Sequence, residues 1–391
     1  MAMLTQLGWT FLLSPVVIFV YAYFAYPALL RLLAAIRGAA ALPGEPEEWP
    51  TITVTIPAYN EADSIGRTIE NVLAAEYPAD RREILIVSDA STDGTDDVVR
   101  SYADRRVSLL RMPSRAGKTA AENAAAAHLG GAIVVNMDAT IRLRPDSLRR
   151  LVRVFQDPTI GVASGRDVSV GDERLEGNQG ESGYVGYEMW VRALETRVGG
   201  IVGASGCFYA IRRPLVQSLF PAALSRDFAS PLLARRAGFR SVSVNDAVCF
   251  VPRTRSLKAE YRRKIRTMAR GLETLGYLAA LMNPFRYGLF AWMLVSHKLC
   301  RWLVFLLLPL AALGLVLLVP TSVPARWLFA AAAVAVLLGI AGMRWPHGRK
   351  PPLPVALCGF ALASAVAGLL AWSKALTGER NPIWEPTRRP I

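Results

Sequence analysis

The chain has 391 residues, of which 52% are hydrophobic and 19% charged, with a formal net charge of +14. Its positive mean hydropathy excludes an ordinary soluble enzyme, while the charged content calls for a soluble part beside a membrane part. No nucleic-acid motif accompanies the charge, which fits the cytoplasmic loops of a membrane protein; the four cysteines and three histidines are too scattered for a disulfide framework or a zinc site.

Residues 8–30, GWTFLLSPVVIFVYAYFAYPALL, are uncharged and long enough to cross about 30 Å of hydrocarbon. No basic residue precedes the run and it carries no obvious cleavage motif, so a transmembrane helix is expected rather than a signal peptide. Arg31 and Arg37 follow it and place the next domain in the cytoplasm. We therefore take 1–38 as an N-terminal membrane helix and, across the linker ALPGEPEEWP (41–50), 48–256 as the soluble domain.

Strand-like and helical patterns alternate in that domain. TITVTIPAY is followed by the helical EADSIGRTIENVLAAEY, then EILIVSD, a polar turn and DDVVRSYADR. Further strands are predicted at 107–111 and 132–138, the latter after an Ala-rich helix at 118–129. Such β-α repeats predict a mostly parallel, doubly wound α/β sheet that binds ligands beyond the carboxyl ends of its strands. The polar residues just after each strand are thus the ones to weigh.

Glu61 in IPAYNEADSI stands there, as does Asp89 in SDASTDGT, whereas Asp93 and Gly94 fit a turn. In RAGKTAAEN, Gly117 frees the backbone and Lys118 opens a helix, where a cation opposes the helix dipole and calls for an anionic partner. Asp138 ends the apolar run VVNMDAT at a position from which a carboxylate reaches a metal ion on a diphosphate. Each residue alone has a plainer explanation: a helix cap, a turn acid, an exposed lysine.

Residues 257–275 carry Leu257, Tyr261, Ile265, Met268 and Leu272 at helical spacing among many cations, the pattern of a basic amphipathic helix on an anionic bilayer. We assign 257–300 to interfacial helices, 301–373 to three spans (302–319, 327–343 and 353–372) and 374–391 to a tail. Four spans place the basic tail, with Lys374, Arg380, Arg388 and Arg389, on the outer side, against the positive-inside trend. Either the loop RWPHGRKPP outweighs the tail or one segment is re-entrant. If the tail segment NPIWEPTRR is cytoplasmic instead, it can fold back on the soluble domain.

Taken in order, IPAYNE, IVSDASTDGT, AGKTAAEN, VNMDAT, ASGCFYAIRR, RDF and RRKIRTMAR resemble the membrane-bound family-two glycosyltransferases, which include cellulose, hyaluronan and chitin-oligosaccharide synthases. The resemblance runs from about Thr51 to Arg270 and implies a GT-A (Rossmann-like) cytoplasmic domain with one N-terminal and about three C-terminal transmembrane helices. It makes Glu61 and Asp89 nucleoside contacts and Lys118 a nucleoside or diphosphate contact. Asp138 becomes the first acid of a D-x-D metal motif and Gly206 part of a small-residue turn near the acceptor. The implied cofactor is a divalent cation, Mg2+ or Mn2+, with affinity lowered because Thr140 replaces the second acid.

By the same resemblance Asp227 is the general base, with Arg226 where the family has an acid, and an adjacent arginine weakens a base unless it points away. RKIRT (263–267) matches the Q-x-x-R-W motif with Arg263 in the glutamine place and Thr267 in the tryptophan place; Arg263, Arg266 and Arg270 suit a pyrophosphate. Losing that aromatic platform favours transfer of one or a few sugars over processive polymerisation with extrusion. Tyr184, Tyr187 and Trp190 either line an acceptor path or pack a helix, and nothing near Cys207 in sequence lowers its pKa toward a nucleophile.

The implied activity is inverting transfer from a nucleotide-sugar, a UDP-sugar, to a lipid-linked or polysaccharide acceptor at the inner (plasma) membrane, in cell-surface or exopolysaccharide biosynthesis. A silent nucleotide-binding scaffold of an export complex is the alternative of another class. The implied partners are the donor, the acceptor, the bilayer and proteins of a biosynthetic or export complex, with no nucleic acid.

Overall fold

The computed structural model describes residues 2–38, 43–170, 179–216, 221–222, 224–252, 257–346 and 351–378, with backbone alone at 179–184 and 257–260. Tyr184 and the segment NPIWEPTRR, with Arg388 and Arg389, lie outside the described side chains. Two compact units divide the chain, one built from Leu30–Leu257 and Glu273–Ala291, the other from Met1–Leu29, Lys258–Leu272 and Trp292–Glu379.

Among the described residues the first unit holds one eight-stranded sheet. Its strands are β1 (Ile52–Ala58), β2 (Arg82–Ser88), β3 (Val107–Arg111), β4 (Ile133–Met137), β5 (Arg142–Leu143), β6 (Ile160–Val170), β7 (Phe208–Arg212) and β8 (Arg240–Pro252), in the spatial order β3-β2-β1-β4-β7-β6-β8-β5. All residues of β1 and β4 are buried, as expected of central strands covered on both faces, including the polar Thr53, Thr55 and Asn136. The period of two sorts the side chains between two cores. Ile84, Ile86, Ile133 and Val135 pack with Ile65, Ile69 and Val72 of the helix Ala62–Leu73, whereas Leu85, Val87 and Val134 pack with Ala121 and Ala125 of the helix Lys118–Ala125. Helices thus cover both faces, the doubly wound arrangement expected from the β-α repeats.

The sheet is parallel from β3 through β2 and β1 to β4, and mixed beyond. β7 runs antiparallel to β4, with Met137 opposite Phe208. This differs from a mostly parallel sheet and has a consequence for chemistry: the turn that precedes β7 is delivered to the carboxyl end of β4. β1 lies between β2 and β4, so the strand order reverses direction there, and a crevice at such a switch point is where open α/β sheets take ligands.

Among the described residues, four helices are long and apolar enough to cross a membrane: Ala2–Arg37, Leu289–Leu318, Val323–Met343 and Leu353–Thr377. The second begins at Leu289, well before the apolar run at Trp302. His297, Lys298 and Arg301 interrupt the sequence pattern, but His297 and Arg301 are buried against neighbouring helices, where polar groups are tolerated at membrane depth. In this helical unit Tyr21 Oη lies 2.7 Å from Ser296 Oγ and accepts from Trp292 Nε1 at 2.9 Å, while the Arg301 guanidinium sits 4.9 Å from the centre of the Tyr23 ring. The basic helix Leu257–Tyr277 carries Lys264 over the Phe360 ring at 4.2 Å.

Candidate active site

The loops after β1 and β2 are stapled together. Asn60, in the left-handed region at φ 53°, accepts from the Thr92 amide, a conformation asparagine tolerates better than most residues. Asp93 accepts from the Ala62 amide and from both the amide and hydroxyl of Thr95. Burial pushes the Asp93 carboxyl up, yet these hydrogen bonds outweigh it and leave the group below its ordinary value. Half-buried Glu61 stands at the start of the helix Ala62–Leu73, where its carboxylate accepts from Ser64 Oγ at 2.6 Å.

Asp89 is buried at the tip of β2. Its two carboxylate oxygens accept from the amides of Ala116 and Gly117 at 2.7 and 2.8 Å. Gly117 has φ 91°, which an L side chain rarely adopts, and this turn lets the backbone present its N–H to Asp89 while opening the next helix. Asp89 therefore sets the position of Lys118. Beside this clamp the Arg115 guanidinium lies 3.9 Å from the centre of the Tyr59 ring.

Lys118 Nζ donates to Asp138 Oδ1 at 2.6 Å and to the Gly206 carbonyl at 2.8 Å. Asp138 follows β4, and its amide donates to the Cys207 carbonyl, so the antiparallel β4–β7 pairing brings the two halves of this contact together. The turn before β7 is shaped by Ser205 Oγ, which accepts from the amides of Cys207 and Phe208. Burial opposes the Lys118 charge, but Asp138, Glu122 and Asp227 prevail and hold the ammonium above the ordinary lysine value.

Asp227 opens the helix Arg226–Arg236, and its Oδ1 accepts from Ser225 Oγ at 2.6 Å. Its Oδ2 faces Gly206, where a methyl group would stand 2.9 Å away. Arg226, the cation beside it, turns inward: it is buried and donates to Asn123 Oδ1 at 2.6 Å and to the Val216 carbonyl. Lys118, Asp138, Gly206 and Asp227 therefore form one connected group, and Asp89 joins it through Gly117. Arg263, Arg266 and Arg270 belong to the helical unit, and their assignment to a pyrophosphate rests on the resemblance. Trp190 is exposed and its ring lies tilted at 51° to that of Tyr187, with 5.9 Å between ring centres.

Glu122 escaped the sequence reading. It lies four residues after Lys118, hence on the same helix face, and the signal was an acid among alanines at buried positions. It is 3% exposed, and neither of its carboxylate oxygens has a hydrogen-bond partner among the described residues. Burial first, then Asp227 and Asp138, push its carboxyl up against the pull of Lys118 and Arg226.

The donor set does not fit a divalent cation well. Asp138 is the single acid of the D-x-D position, Thr140 stands where the second acid belongs, and an oxygen of Asp138 is engaged by the Lys118 ammonium. Among the described residues no three Asp, Glu, His or Cys side chains are grouped to hold a metal.

Replacing Gly206 by alanine tests how tightly this group is assembled. The added methyl displaces Asp227 Oδ2, and kcat should fall by about ten-fold while nucleotide affinity changes little. A Gly206→Ala protein with unchanged kcat would show that Asp227 does not need its present position.

A mannosyltransferase from Pyrobaculum calidifontis, solved in complex with GDP-Man and Mn2+, shares the fold with a TM-score of 0.73 at 23% identity, over 96% of this chain and 100% of that one. Among curated proteins, an N-acetylglucosaminyltransferase of Mesorhizobium japonicum is 28% identical over 247 residues, 57% of this chain and 56% of its own. A beta-monoglucosyldiacylglycerol synthase of Synechocystis sp. is 29% identical over 157 residues, 39% of this chain and 33% of its own. The chain thus spans about half the length, or less, of these curated relatives. Residues 53–220, the stretch that carries Asp89, Lys118, Asp138 and Gly206, match the family described as Glycosyl transferase family 2.

Proposed function

We propose that the chain is an inverting glycosyltransferase of the inner (plasma) membrane, with its GT-A domain on the cytoplasmic side. It transfers a sugar from a nucleotide-sugar, a UDP-sugar, to a lipid-linked or saccharide acceptor in cell-surface or exopolysaccharide biosynthesis. The observation that carries this is the meeting of Lys118, Asp138, Gly206 and Asp227 at the carboxyl end of β4, one cation and a half-buried carboxylate on either side of Gly206. The names of the curated relatives, a GlcNAc transferase and a glycolipid synthase, support the donor and acceptor classes.

In this mechanism Asp89 and the Tyr59–Arg115 pair receive the nucleoside. Ser225 holds one oxygen of Asp227, leaving Oδ2 to take the acceptor proton. As that proton leaves, the acceptor oxygen bonds to the anomeric carbon and the bond from that carbon to the diphosphate breaks. The electron pair departs with the diphosphate, whose growing charge is met by Lys118. One displacement inverts the anomeric centre.

The acceptor class is tested by incubating the chain in lipid nanodiscs with radiolabelled UDP-sugars and a bacterial lipid extract, followed by butanol extraction. Label in the butanol phase is expected. Label found only as free sugar or unreacted donor, with saccharide acceptors also present, would sink the proposed acceptor classes.

A further inference from the structure

A family-two site with an intact D-x-D motif has two acids to hold a metal against the leaving diphosphate. Here the second acid is Thr140, and a cation belonging to the chain already stands at the first. Lys118 Nζ touches Asp138 and the Gly206 carbonyl, and it lies within the field of Glu122 and Asp227 as well. One carboxylate and a carbonyl oxygen thus touch the ammonium, with two further acids near enough to favour its charge. Glu122, buried four residues along the same helix with neither carboxyl oxygen hydrogen-bonded among the described residues, is one of these acids.

An ammonium has three N–H donors, and two are used by Asp138 and Gly206. The third remains for a diphosphate oxygen, and the side chain is 20% exposed, so it is reachable from the open side of the site. We propose that Lys118 is a tethered cation that does the work of the divalent ion, so that this chain binds a nucleoside diphosphate and stabilises its departure without a metal. This inference rests on the glycosyltransferase reading. The atoms balance as in that displacement: the proton goes to Asp227, the carbon–oxygen bond to the diphosphate breaks, and the negative charge released is paired with the Lys118 ammonium.

The test measures UDP and GDP binding to the chain in nanodiscs by calorimetry, in excess EDTA and then in Mn2+, beside Mn2+ paramagnetic resonance and turnover. Diphosphate affinity in EDTA is expected to equal that in Mn2+ within about three-fold, turnover is expected to persist in EDTA, and Lys118→Met should weaken diphosphate binding by about ten-fold or more. Thr140→Asp, which restores the second acid, should acquire a bound Mn2+ signal that the native chain lacks, and it decides the matter if Lys118→Met does not fold. Diphosphate binding that vanishes in EDTA and returns with Mn2+, or no binding in either condition, would overturn the tethered cation. Binding in EDTA without turnover of any nucleotide-sugar would instead overturn the transferase reading and leave the tethered cation standing.

Discussion

Asp227→Asn is expected to lower turnover by about three orders of magnitude while leaving nucleotide affinity nearly unchanged. Asparagine keeps an oxygen for the Ser225 hydroxyl, so the start of the helix Arg226–Arg236 stays in place. What it loses is the capacity to take a proton. Lys118 also loses one of the carboxylates around it, but its direct bonds to Asp138 and Gly206 remain. Steady-state nucleotide release and calorimetry on the same preparation separate the two effects. An Asp227→Asn protein that keeps a tenth of its activity would remove Asp227 from the role of base.

The second large effect is expected at Asp89. Its carboxylate accepts two backbone amides, and removing it as Asp89→Ala leaves the half-buried Ala116 and buried Gly117 N–H groups without that partner. Each charge-assisted bond of this kind contributes about 1.5–3 kcal/mol. Losing both releases the turn that aims Lys118, so nucleotide affinity should fall by about a hundred-fold and the unfolding temperature should drop with it. Asp89→Asn keeps an acceptor for one of the amides and should fall between native and Asp89→Ala. If Asp89→Ala lowers stability but binds nucleotide normally, the clamp is structural and Lys118 is positioned by other contacts.

The framework of this site is written in local pattern. β1, β2 and β4 are short, mostly apolar runs, and the strand-end rule points to Glu61, Asp89 and Asp138 without any knowledge of the sheet. Other features depend on pairings that no local pattern encodes. Gly206 meets Asp138 because β7 returns antiparallel along β4, and the direction of a return strand follows from the whole intervening chain. Arg226 looked like a threat to the neighbouring base, and only its inward turn toward Asn123 shows that its guanidinium is spent elsewhere. Glu122 was hidden among alanines because an acid on a short helix is ordinarily a solvated residue, and its burial arises from packing against the sheet. The membrane helix beginning at Leu289 was obscured for the opposite reason: His297 and Arg301 break the hydropathy pattern but face other helices.

The most direct measurement is release of nucleoside diphosphate from a panel of UDP- and GDP-sugars by the purified chain in lipid nanodiscs, with lipid extract and saccharide acceptors supplied and Asp227→Asn run in parallel. Release from at least one donor, lost in the variant, is the predicted result. No release from any donor, with nucleotide still bound, would contradict a transferase and leave a nucleotide-binding scaffold in its place.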